Sequence, residues 1–117
     1  MATAITTEQL CRNYINGEWM ESRSTKIVDR RNPANTDEVV ARIPLSTRQE
    51  MKKAIVAAKA AFPAWREMPA PNRGKILFGA TRIMQEQKES LARLLTREEG
   101  KALKDSLGEV QRAINIL

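Results

Sequence analysis

The sequence predicts two short antiparallel β-pairs followed by about four amphipathic α-helices. Two observations carry this. Asn16-Gly17 stands between the strand formers Tyr14-Ile15 and Trp19-Met20, and Asn-Gly in that setting signals a two-residue hairpin because both residues tolerate positive φ. From Ser46 onward the apolar spacing changes from two residues to about 3.6, the period of a helix.

The elements follow in order. After the first hairpin, Lys26-Ile27-Val28-Asp29 and Glu38-Val39-Val40-Ala41-Arg42-Ile43 read as a second antiparallel pair. The run Asn32-Pro33-Ala34-Asn35-Thr36-Asp37 between them reads as its turn. Ser46 or Thr47 caps the first helix, with Gln49 or Glu50 three residues on to complete a capping box. Met51, Ala54, Ile55, Ala58 and Phe62 mark its inner face, and Pro63 ends it near Phe62. A second helix begins around Pro71 with a stripe on Ile76, Leu77, Ala80, Ile83 and Met84. A third carries Leu91, Leu94 and Leu95 and closes at Gly100. The fourth has its face on Leu103, Leu107, Val110, Ile114 and Leu117, and its last turn holds no glycine, proline, lysine or arginine as a stop signal. Four such stripes require a common surface, and two β-pairs offer little area for it.

Composition narrows the function classes. In 117 residues there are 42% hydrophobic and only 4% aromatic residues, so a core would rest on Ala, Leu, Ile, Val and Met. The one cysteine makes no internal disulfide, which fits a reducing compartment. The first sixteen residues lack the apolar stretch of a signal peptide, and no run approaches the ~20 apolar residues of a membrane span. A cytoplasmic protein with no membrane partner is the expectation. The net charge of +6 raises the question of nucleic acid. Its lysines and arginines, however, are spread over several helices among glutamates, with no basic stripe and almost no helical aromatics to stack bases, so no nucleic-acid partner is expected.

Candidate chemistry is sparse. The absence of histidine removes the commonest general base and transition-metal ligand. Cys11 beside Arg12 has a neighbour that favours thiolate, but no base or oxyanion donor adjoins it. Gly74 and Gly79 have the spacing of a phosphate loop, but Ala80 stands where its lysine belongs and the stretch is helical, so close helix approach explains the glycines better. Glu98-Glu99 would point to different sides of a helix, poor geometry for paired acid and base work.

The order of pieces is nevertheless specific. Asn13-Tyr14-Ile15-Asn16-Gly17-Glu18-Trp19, Asn32-Pro33-Ala34, Pro44-Leu45-Ser46-Thr47, Ala57-Ala58-Lys59-Ala60-Ala61-Phe62-Pro63-Ala64-Trp65, Thr96-Arg97-Glu98-Glu99-Gly100-Lys101 and Gly108-Glu109-Val110 together resemble the start of the aldehyde dehydrogenase superfamily. The resemblance covers residues 13–117 and implies the N-terminal portion of an α/β, Rossmann-like NAD(P)-binding domain, truncated at Leu117; residues 1–12 before it are expected to form a flexible tail. It further implies a full-length enzyme with NAD or NADP as cofactor. That enzyme oxidises an aldehyde or semialdehyde to the acid through a cysteine thioester and assembles as a homodimer or homotetramer. The family's nucleophile, base, oxyanion asparagine and ribose-binding lysine fall later than these residues, and Cys11 matches no family motif. No catalytic or cofactor-binding residue is therefore assigned here, and the isolated chain is expected neither to bind NAD(P) tightly nor to act on the aldehyde.

One direct role is implied. In some relatives a monovalent cation is held at the positions that correspond here to Glu98 and the carbonyl of Arg31. Ala102 stands where many members have proline, and the 32–38 turn is longer than that of many relatives, a feature that resembles semialdehyde-oxidising members such as those acting on 2-oxoglutarate semialdehyde. The alternative from another class is a stand-alone helical interaction module without catalysis.

Overall fold

The structure, a computed structural model, describes residues 10–117, so most of the expected 1–12 tail lies outside the described residues. Eight elements follow in order: β1 (Asn13–Ile15), β2 (Glu18–Met20), β3 (Ile27–Asn32), β4 (Asn35–Pro44), α1 (Arg48–Glu67), α2 (Ala70–Glu86), α3 (Lys88–Glu99) and α4 (Leu103–Ile116). The strands form two separate two-stranded sheets, β1-β2 and β3-β4. The described residues divide into two compact units, one of residues 10–31 with Asp37–Arg66, the other of Asn32–Thr36 with Glu67–Leu117.

In the first unit, β1 and β2 pair antiparallel with Tyr14 opposite Trp19, and Asn16 (φ 55°) and Gly17 (φ 84°) form the two-residue turn that Asn-Gly predicts. The Tyr14 and Trp19 rings lie 5.0 Å apart on one face of the hairpin. Leu10 bridges Arg42 in parallel, and the Cys11 N–H donates to the Arg42 carbonyl at 2.8 Å.

The capping box is made by Thr47 and Glu50. The Glu50 N–H donates to Thr47 Oγ1 at 3.3 Å, while Glu50 Oε2 accepts from the Thr47 N–H at 2.7 Å and from its hydroxyl at 2.9 Å. Ser46, the other candidate cap, instead accepts from Asn13 Nδ2 at 2.9 Å. Glu50 also accepts from the Arg23 N–H at 2.7 Å and the Ser22 hydroxyl at 3.0 Å, so one carboxylate fixes both the start of α1 and the loop before β3. These donors, the Thr47 and Arg23 backbone amides foremost, lower its pKa from 4.5 to about 2. A carboxylate with a depressed folded pKa stabilises the fold above its unfolded value and loses that contribution as pH falls toward the folded one. The wild-type chain is therefore expected to lose urea resistance between about pH 4.5 and 2 more steeply than Glu50→Gln, with the two converging at the acid end. Parallel pH profiles for the two proteins would refute the role.

Three sequence expectations are corrected. Helix α1 does not end at Phe62 but runs through Pro63 to Glu67. Proline lacks only its own N–H and crowds the carbonyl four residues back, and so close to the end of a 20-residue helix that local penalty does not stop the last turn. The 32–37 run is not all turn, since β3 extends to Asn32 and β4 starts at Asn35, leaving Pro33-Ala34 as the connection. Asn32 Oδ1 accepts from the Ala34 N–H at 2.9 Å, an Asx turn that lets the strands run on into residues otherwise typical of loops. The apparent length of the turn is thus strand. Finally, Gly74 and Gly79 do not mark close helix approach, because a Cβ built at either meets no atom within 4 Å.

In the second unit α3 packs on α4, and α2 touches both. Ala92 and Ser106, beside the predicted stripes, are fully buried; within the stripes Val110 is nearly so, Leu91, Leu94, Leu95, Leu103, Leu107 and Ile114 are half-buried, and Leu117 is exposed. The Ser106 and Thr96 hydroxyls share a hydrogen bond at 2.8 Å, which satisfies both where water has little access. Ala102 caps α4 with φ −65°, the angle a proline ring imposes, and no side chain bonds there. Ala102→Pro is accordingly expected to stabilise the chain by about 0.4–1 kcal/mol, read as a rise in thermal midpoint. A fall would show that the Ala102 N–H or the Lys101 backbone resists the ring.

The stripes on α1 and α2 stay open. Neither helix has a buried residue, and Met51, Ile55, Phe62, Ile76 and Ile83 are all more than half exposed. Apolar side chains left exposed along two helices favour association with other molecules.

Candidate functional site

The residues singled out in the sequence lie on several elements of the two units. Arg31 lies near the end of β3 in the first unit, where its guanidinium stands 3.5 Å from Asp29, which also pairs with Arg42 at 3.4 Å. Glu98 lies on α3 in the second unit, half-buried. Among the described residues no group of three or more His, Cys, Asp or Glu side chains is placed to hold a metal ion. Cys11 is exposed. Gly74 to Thr81 lies within α2 and follows no strand, so the phosphate-loop spacing has no phosphate-loop context.

Glu98 and Glu99 diverge as helical geometry requires. Glu98 faces a trough along α2, α3 and α4 walled by Met84, Leu91, Leu94, Leu95 and Val110. Glu99 pairs instead with Lys101, whose ammonium lies 2.5 Å from it and 2.6 Å from Glu109. Those two carboxylates, Glu109 foremost, raise the Lys101 pKa above its ordinary value. Lys101 thereby fastens the end of α3 to α4. In the first unit a second open groove lies between the β1-β2 hairpin and α1, with Ile15, Met20, Val56 and Ala60 in its walls and Lys52 and Lys53 beside it.

Gly100 has a second role that the sequence did not reveal. It closes α3 in the left-handed conformation (φ 73°), its N–H donating to the Thr96 carbonyl at 2.8 Å, as expected of a glycine stop. It also lies against the Asx turn: a Cβ there would stand 3.0 Å from the Ala34 nitrogen and 3.2 Å from the Pro33 Cβ. The helix stop and the Asn-Pro-Ala turn, 66 residues apart, are therefore one packed joint. A glycine already required by its φ gives no separate sign of crowding.

The described residues thus form two β-hairpins and four helices, of which α1 and α2 keep open apolar faces. Residues 19–117 match the aldehyde dehydrogenase family, and the chain belongs to it. Over 111 residues it is 47% identical to malonate-semialdehyde dehydrogenase 1 of Bacillus thuringiensis (strain Al Hakam), a match covering 94% of this chain and 23% of that protein. The NADP-dependent glyceraldehyde-3-phosphate dehydrogenase of Bacillus halodurans C-125, solved with NADP, superposes with TM-score 0.87 at 30% identity over 93% of this chain and 23% of that one. Betaine aldehyde dehydrogenase of Staphylococcus aureus, solved with NAD+ as a Y450L variant, gives 0.83 at 36% identity over 90% and 21%. The chain thus spans about a quarter of the length of the relatives it matches and corresponds to their N-terminal part.

Proposed function

We propose that these residues, from 13 onward, are the opening layer of an NAD(P)-dependent aldehyde dehydrogenase that oxidises a semialdehyde to its carboxylic acid. The observation that carries this is the 47% identity to malonate-semialdehyde dehydrogenase along nearly the whole chain. A short semialdehyde of the malonate type is accordingly the first substrate to try. Both NAD+ and NADP occur in the solved neighbours, so the proposal names the nicotinamide cofactor without choosing its phosphate. In the whole enzyme that cofactor takes up hydride, and a cysteine beyond the family positions present here forms the thioester.

The contribution of these residues is structural. The capping box at Glu50 and the joint at Gly100 set the helices, whose open faces lie against the remainder of a homo-oligomeric cytoplasmic enzyme. The monovalent-cation role of Glu98 and the Arg31 carbonyl rests on the family resemblance alone. Unchanged potassium or sodium binding by the whole enzyme after Glu98→Gln removes it.

Two measurements test the reading. The native gene product is expected to have an intact mass several times the 13.2 kDa of this chain and to form NAD(P)H from malonate semialdehyde. The 117-residue chain assayed alone is expected to form none and to self-associate through its uncovered helices. Turnover by the short chain would overturn its structural assignment. A native mass of 13.2 kDa together with a monomeric, cooperatively melting chain would favour the stand-alone interaction module.

A further inference from the structure

We draw no further inference here: the strongest candidate, the apolar trough along α2, α3 and α4 walled by Met84, Leu91, Leu94, Leu95 and Val110, carries nothing because nothing in the structure shows what covers it beyond the family packing already proposed.

Discussion

Gly100→Ala is expected to destabilise the second unit by about 2–4 kcal/mol, the range of substitutions that combine backbone strain with overpacking. A left-handed conformation costs an L-residue about 1–2 kcal/mol before any contact is considered. The contact adds to that penalty here, because the new methyl would stand 3.0 Å from the Ala34 nitrogen. That nitrogen is backbone, and its N–H is held by Asn32 Oδ1 at 2.9 Å, so it does not move aside as a flexible side chain would. Gly17→Ala separates the two effects: Gly17 has φ 84° but no atom within 4 Å of a built Cβ, so it carries the conformational penalty alone, about 1–2 kcal/mol. Urea unfolding of the three proteins at one fixed concentration checks this, since self-association would otherwise shift the midpoints. Equal losses at Gly17 and Gly100 would mean that the joint with residues 33 and 34 contributes nothing.

Ala92→Asp is expected to cost about 3–5 kcal/mol, the scale of leaving a charge buried without a partner. Ala92 has no exposed surface, and the unit's other nearly or fully buried side chains on these helices are Val110 and the hydroxyl-paired Ser106. A carboxylate there either stays ionised in an apolar setting or takes up a proton at a raised pKa, and either outcome opposes packing of α3 on α4. Ala80→Asp provides the comparison, because Ala80 is an exposed helical alanine and the change there costs only about 0.7 kcal/mol in helix propensity. Amide exchange along α3 and α4 reads the difference locally. If both variants protect those amides equally, Ala92 is not part of a formed core.

Much of the architecture was legible because its signals are local. Asn16-Gly17 specified a hairpin through backbone φ preferences alone, and Thr47 with Glu50 specified a helix start through hydrogen bonds spanning three residues. Gly100 specified a helix end for the same kind of reason. The failures were also physical. Pro63 is a helix breaker by propensity, yet near a helix end its penalty is one local bond and one steric contact, which does not terminate α1. Asn32 to Asp37 has loop composition, yet a single Asx hydrogen bond compresses the turn to Pro33-Ala34 and gives the rest to strand. Gly74 and Gly79 look like contact glycines only while a partner helix is assumed.

Candidate site residues were less legible than the fold. Glu98 and Arg31 were reached through the resemblance, by their places just before the Gly-Lys and Asn-Pro pairs. What the sequence alone determined is the set of elements, their caps and turns, and, through the ordered motifs from Asn13 to Val110, membership of the aldehyde dehydrogenase family, because each of these depends on neighbours a few residues away or on motif order. What only the tertiary structure decided is which stripes find cover. Those of α3 and α4 are half-covered where the two helices meet at Ala92, Ser106 and Val110, whereas those of α1 and α2 hold no buried residue, because burial depends on surfaces brought together from distant parts of a chain and the period of a helix says nothing about what lies opposite its apolar face.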